Sequence, residues 1–183
     1  MKPRWDYLIK PQGKEYNNTK KIAGLDFVVN ATIEDAKFVN RLGIVCASPK
    51  ESEIKKGSIV VVHHNVFRTY LDMKGNKRKS NEYFRDELYL VPEERIYMYD
   101  DGSGWKPTKD FCFISPIEYN QDGFLYRSDK QEEEHVGVIN YIKDDSLKIN
   151  DKIGFTKNSE YQFTIDKKKL YRMTKKDICA KLM

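Results

Sequence analysis

Little in this sequence suggests a covalent framework, a membrane span or a familiar catalytic motif. Its three cysteines, Cys46, Cys112 and Cys179, lie far apart. An odd, widely spaced set gives neither a disulfide framework nor metal-ligand spacing. They read as reduced and mostly buried small hydrophobes, which favours a cytoplasmic setting. No run approaches the ~20 apolar residues needed to span a bilayer, and the polar N-terminal stretch is no secretory signal. Alanine-rich amphipathic runs are absent. The net charge of +5 comes from 33 basic and 28 acidic residues. The two signs are intermixed rather than gathered into the one-sided basic stripe of a nucleic-acid binder. There is no Gly-rich phosphate loop, no Gly-x-Ser-x-Gly elbow and no His-Glu-x-x-His. The expectation is therefore a protein that is not an enzyme and carries no cofactor.

What the chain does have is aromatic and β-branched side chains. Twelve Tyr and nine Phe among 183 residues argue against disorder and suit pleated, half-buried strands. The chain also repeats itself at four anchors that keep their order. Lys2-Pro3-x-x-Asp6 and the following Tyr7–Pro11 match Lys106-Pro107-x-x-Asp110 and the run 111–116. Each reads as a strand closed by proline. Leu42-Gly43-Ile44-Val45 matches Val136-Gly137-Val138-Ile139. The run 54–62 matches 147–155, with Gly57 and Asn150 placed where a tight turn needs positive φ. Leu88-Tyr89-x-Val91, followed by Ile96, matches Leu170-Tyr171-x-Met173, followed by Ile178. Asp100-Asp101-Gly102-Ser103-Gly104 has the composition of a linker or tight turn.

The reading is all-β: two tandem small antiparallel β-barrels, 1–99 and 106–183, joined by a linker at 100–105. In the first copy, strands are expected near 6–11, 25–30, 38–46, 58–68 and 83–91, with a short last segment at 93–99. In the second they fall near 110–116, 123–127, 135–142, 151–156, 160–165 and 169–173. The run 174–181 reads equally as a short helix or a strand. Closure into barrels would remove exposed edges.

These anchors resemble the small co-chaperonins of the GroES type. That family has a first strand ending in a basic residue or proline, then a long loop, a Gly-x-Val strand, a Lys-x-Gly-Asp-x-Val strand and a closing Asp-Ile-Leu-Ala segment. The second copy carries Val136-Gly137-Val138, Lys148-Ile149-Asn150-Asp151-Lys152-Ile153 and Asp177-Ile178-Cys179-Ala180. The first carries Gly43-Ile44-Val45, Lys56-Gly57-Ser58-Ile59-Val60 and Leu88–Val91. A tandem, lysine-rich, divergent copy has the style of a phage-encoded member, placed in the host cytoplasm.

The resemblance implies a homo-oligomeric ring that binds a chaperonin ring, with ATP held by the partner. It also implies a mobile partner-binding loop at 13–37. The expected contact residues are Gly24, Leu25, Phe27, Val28 and Val29, with Phe27-Val28-Val29 as the family's apolar tripeptide. The counterpart in the second copy is Phe124-Leu125-Tyr126 within 118–134. Departures from the family's pattern are visible. A single glycine precedes the triplet, which is followed by Asn30-Ala31-Thr32-Ile33-Glu34-Asp35 and not by a small-residue tail; the family's roof hairpin shrinks to 48–53, and a different loop, 69–82, has grown instead. A virion or assembly structural protein built from the same tandem barrels is the alternative, with 69–82 as a packing arm.

Other features have commoner readings. His63-His64 lie side by side on an expected strand, so they would point to opposite faces and not share a metal. Asp100-Asp101 and Asp144-Asp145 lack the spacing of a calcium loop. Lys74, Lys77, Arg78 and Lys79, near Arg68, Tyr70, Tyr83 and Phe84, would make a single-stranded nucleic-acid site in an OB-type barrel. A surface hairpin tip at Gly75-Asn76 is the commoner reading.

Overall fold

The structure is a computed structural model that describes residues 2–16, 19–28, 38–108, 110–118, 132–166 and 168–182. The chain divides into two compact units, Met1–Trp105 and Lys106–Met183. In the first lie β1 (Tyr7–Pro11), β2 (Thr19–Ile22), β3 (Leu25–Val28), β4 (Leu42–Ala47), β5 (Ile59–Val62), β6 (Thr69–Leu71), β7 (Lys77–Lys79), β8 (Tyr83–Arg85), β9 (Leu88–Val91) and β10 (Ile96–Asp100). Then come β11 (Trp105–Pro107), β12 (Phe111–Glu118), β13 (Glu132–Tyr141), β14 (Lys152–Phe155), β15 (Tyr161–Ile165), β16 (Lys168–Thr174) and β17 (Ile178–Leu182). No α-helix occurs among the described residues; the only helical pieces there are two 3₁₀ turns, Glu93–Arg95 and Lys175–Asp177.

The main sheet of the first unit runs β11-β10-β5-β4-β1-β9-β8. That of the second, read from its far edge, runs β17-β14-β13-β12-β16-β15. From β10 onward the two orders agree strand for strand. The agreement extends to irregularities. The β1–β4 register slips between Leu8 and Ile9, and the β12–β13 register slips between Phe113 and Ile114. Against β9 and β16, Ile9 faces Tyr89 and Ile114 faces Tyr171. The last strand of each unit is also bulged, at Tyr97 and at Cys179. A bulge adds one residue and sharpens the local twist, so equivalent bulges bend both sheets at equivalent places.

In the first unit Ile9, Val45, Val60, Val62, Tyr89, Val91 and Ile96 meet in one core cluster. In the second, Ile114, Ile139, Ile153, Phe155 and Met173 do the same, with Ile178 packed against them. Full burial of each such side chain contributes about 1.5–3 kcal/mol. Strands β9 and β10 stand four places apart in the order yet share a core, so the sheet curls back on itself. No described pair joins β8 to β11 or β15 to β17, so the closed barrels expected from the sequence are not found. What is found is all-β and antiparallel.

Gly43 and Gly137 hold equivalent places, opposite Pro11 and Pro116. A Cβ at Gly43 would overlap Ile9 Cγ2 and sit 3.0 Å from Phe67 Cζ. One at Gly137 would overlap Ile114 Cδ1 and sit 3.0 Å from the Ser115 carbonyl oxygen. Gly57 and Asn150, at φ 92° and 73°, turn the chain into β5 and β14. Their N–H groups donate to Val45 O and Ile139 O, both at 2.8 Å.

Several elements differ from expectation. The run 58–68 is a strand only to Val62; His63 N–H then donates to Arg95 O and Val66 N–H to His63 O, forming a turn. The run 83–91 is a tight hairpin, turned by Asp86 and Glu87 at φ 49° and 60°. The run 174–181 is a 3₁₀ turn capped by Thr174 and Asp177, followed by β17. The expected strand at 123–127 lies outside the described residues. Of the cysteines, Cys112 is buried and Cys46 partly so, but Cys179 is exposed because its bulge turns it out of the core.

Candidate partner-binding hairpin

Within the expected loop 13–37, β2 and β3 pair in register from Thr19↔Val28 to Ile22↔Leu25. Only Ala23 and Gly24 separate them, at φ 50° and 84°. Positive φ at both turn residues is the type I′ signature, whose twist matches that of paired strands. Gly24, singled out as the glycine before the apolar triplet, is thus the residue that lets this turn close.

The hairpin's apolar side chains face outward. Ile22 is 56% exposed, Leu25 65%, Phe27 47% and Val28 66%. Because side chains alternate along a strand, the Ile22↔Leu25 pair places Ile22, Leu25 and Phe27 on one face and Val28 on the other. Each of the two strands has the other as its only extensive neighbour among the described elements. Ile22 was not picked out from sequence, although the pairing makes it part of the same patch. Val29 lies outside the described residues, as do 30–37 and the second copy's Phe124-Leu125-Tyr126.

The foot of the hairpin, in contrast, is fixed. Asn40 is 2% exposed. Its Nδ2 donates to Gln12 O and Lys14 O, both at 2.9 Å, and its Oδ1 accepts from Leu42 N–H. Its own N–H donates to Glu15 O, and Gln12 N–H donates to Leu42 O, both at 2.8 Å. Tyr16 Oη donates to Thr69 O at 3.1 Å and accepts from Thr69 N–H at 2.8 Å. The Glu15 carboxylate accepts from Tyr89 Oη at 2.8 Å and pairs with Lys79. Burial, reinforced by that carboxylate, pushes the Tyr89 hydroxyl far above its ordinary range, so it serves as a permanent donor.

The second unit repeats this trio. Tyr171, equivalent to Tyr89, donates to Glu132, which also pairs with Lys169. Burial opposes ionisation of Glu132, but its bonds to Lys169 and Tyr171 prevail and lower its pKa. The repeated tyrosine was visible in the sequence. The glutamates were not, because Glu15 and Glu132 occupy different places relative to the anchors.

Other candidates resolve simply. His63 and His64 are not on a strand; they sit in the turn after β5 with rings stacked 4.2 Å apart, both partly exposed. The expectation of opposite faces fails because the strand ends one residue earlier. Asp100 and Asp101 accept N–H groups of their own turn, from Gly102, Gly104 and Ser103. No group of three or more His, Cys, Asp or Glu among the described residues is placed to hold a metal. The loop 69–82 is the hairpin β6–β7, with Asp72 accepting from Lys74 N–H, Asn76 N–H and Arg78 Nε. Two of its four cations, Arg78 and Lys79, are therefore paired with carboxylates. No helix among the described residues is long and apolar enough to cross a membrane. Neither the protein-family models nor the curated proteins searched include a match to this chain.

Proposed function

We propose that this protein is a co-chaperonin-like binding protein without catalysis of its own, which docks the β2–β3 hairpin into an apolar groove of a chaperonin ring. The observation that carries this reading is an outward-facing apolar hairpin on a fixed foot. An isolated two-stranded hairpin is marginal in water, and exposing four large apolar side chains has no benefit to the fold itself. Docking would bury them. A single hairpin gives modest affinity, and a homo-oligomeric ring of such hairpins would multiply it. The strand order shared by the two units supports a repeated fold, and GroES-like barrels are part of the proposal. ATP would be bound and hydrolysed by the partner.

The assembly-protein reading keeps one observation of its own. The β6–β7 hairpin exposes Leu71 at 45% and Met73 fully, as a packing arm would. Nucleic-acid binding through the same hairpin has less support, since half of its cations are already paired.

The test is to mix the purified chain with a chaperonin ring and ATP, then measure mass by size exclusion with light scattering. Nucleotide-dependent co-elution, abolished by Phe27→Asp with fold and oligomer size unchanged, is the expected result. Loss of fold in Phe27→Asp would show a core residue and refute the hairpin assignment. A stable ring that ignores its cognate chaperonin would favour the assembly reading.

A further inference from the structure

We propose a second binding site in the first unit, distinct from the hairpin, that takes a protonated phosphate group through Arg68 and Asn65. A cavity of about 440 Å³ opens where the turn after β5 meets the β6–β7 hairpin and the start of β8. Asn65, Arg68, Tyr70, Ser80, Glu82 and Arg95 contribute to its wall. Three of its polar side chains are already engaged. Ser80 donates to Val66 O, and Arg95 Nη1 lies 3.0 Å from Glu82 Oε1. Two are not. Arg68 Nε and Asn65 Oδ1 are buried with no hydrogen-bond partner, and Arg68 makes no ion pair among the described residues. A buried donor and a buried acceptor left open are each costly, and both line one cavity.

The internal repeat shows that the fold does not require these arginines. In the second unit the same turn closes with Thr156 N–H on Asp177 O and Ser159 N–H on Thr156 O. There the chain runs directly into β15, and Tyr161 stands where the first unit has Arg68. The place of Arg95 is taken by Asp177, which caps its own 3₁₀ turn. The two cations are additions to a scaffold that forms without them.

The open groups select the ligand. Arg68 requires an anionic acceptor, and Asn65 Oδ1 requires a donor beside it. Carboxylate, sulfate and phosphodiester offer no donor at neutral pH. Hydrogen phosphate offers P–O⁻ to the guanidinium and P–OH to the amide oxygen. A phosphate monoester does so in its singly ionised form. The cavity exceeds the volume of phosphate alone and falls in the range of small-molecule sites, leaving room for an organic body beside the Tyr70 ring.

The experiment is isothermal titration calorimetry of the full chain at constant ionic strength with inorganic phosphate, adenosine 5′-monophosphate and sulfate. Saturable phosphate binding at least ~10-fold tighter than sulfate is expected. Arg68→Gln should abolish it, whereas Lys77→Gln, on the exposed hairpin, should leave it intact. Asn65→Ala keeps the arginine and should erase the preference over sulfate, so the proposal stays testable if Arg68→Gln fails to fold. Tighter binding of the monoester would assign the organic body to the Tyr70 wall, and equal binding would assign free phosphate as ligand. No saturation by either up to about 10 mM, equal affinity for sulfate, or indifference to both substitutions would overturn the proposal.

Discussion

The equivalent glycines provide the sharpest test of the packing, because their two collisions differ by one atom. At Gly137 an added Cβ meets the terminal Cδ1 of Ile114, with the Ser115 carbonyl oxygen at 3.0 Å. At Gly43 it meets Ile9 Cγ2, with Phe67 Cζ at 3.0 Å and the Lys10 carbonyl oxygen at 3.2 Å. Ile9, Phe67 and Ile114 are all fully buried, so none can swing aside. Overpacking of this kind costs about 1–3 kcal/mol, against roughly 0.5–1 kcal/mol that alanine gains over glycine in a strand. Each Gly→Ala change should therefore destabilise its unit by about 1–2 kcal/mol. Ile→Val removes Cδ1 and keeps Cγ2. Ile114→Val should then rescue Gly137→Ala, with a coupling of about 1 kcal/mol, while Ile9→Val should not rescue Gly43→Ala. Urea unfolding separates the two: both tryptophans, Trp5 and Trp105, lie in the first unit, and far-ultraviolet circular dichroism reports both units. A shift below about 0.5 kcal/mol for either alanine, or equal rescue at both sites, would refute the assigned contacts.

Three further outcomes are expected. With Ellman's reagent at pH 8, exposed Cys179 should react fast and Cys112 only on unfolding, because burial pushes its thiol up to about 12; prompt reaction of Cys112 would place it outside the core. The Ser146 hydroxyl and N–H, then Leu147 N–H and Lys175, hold the Asp144 carboxyl at about 2 against an ordinary 3.8. A depressed folded pKa contributes stability that is complete above the ordinary value and lost as pH falls towards the folded one. The second unit should therefore weaken between about pH 4 and 2, Asp144→Asn should flatten that slope, and a carboxyl NMR midpoint at or above 3.8 would contradict the geometry. Tyr89→Phe removes a hydrogen bond to a carboxylate from a side chain that is 0% exposed, so about 1.5–3 kcal/mol should be lost. The equivalent Tyr171→Phe, at a partly exposed site, should cost less; the reverse ranking in urea would refute the burial argument.

The strand framework was legible because it rests on repeated local chemistry. Gly43 and Gly137 mark close approaches, Gly57 and Asn150 mark positive φ, and the alternation Leu88-Tyr89-Leu90-Val91 marks one buried face. Three features were not legible, each for a physical reason. The strand at 58–68 ends at Val62 because the chain turns there, with Val66 N–H donating to His63 O. The split of 83–91 depends on Asp86 and Glu87 adopting positive φ, which a glutamate does not announce. The edges of the sheets depend on where β8 and β15 stop, which no local pattern encodes. Of the candidate site, Gly24, Leu25, Phe27 and Val28 were named from the sequence. Ile22, the Asn40 clamp and the Glu15 bond to Tyr89 needed the pairing and the third dimension.

The repeat turns one chain into an experiment and its control. Both units build the same six-strand order, the same two bulges, the same glycine approach and the same Tyr-Glu-Lys trio. Whatever the two share is thereby sufficient for the fold. What the first unit adds must be explained otherwise, and among the described residues the additions cluster. The β6–β7 hairpin supplies Thr69 and Lys79 to the foot of the β2–β3 hairpin, through Tyr16 and Glu15. The same insertion supplies Tyr70 and Ser80 to the wall that contains Arg68 and Arg95. One inserted hairpin thus braces the proposed docking element on one side and lines the proposed phosphate site on the other. If occupancy of that site is coupled to the docking foot, the coupling runs through the eleven-residue span from Thr69 to Lys79. Coupling of this kind is reciprocal. If both proposals hold, phosphate should change the affinity of the hairpin for its partner, and the partner should change the affinity for phosphate by the same factor.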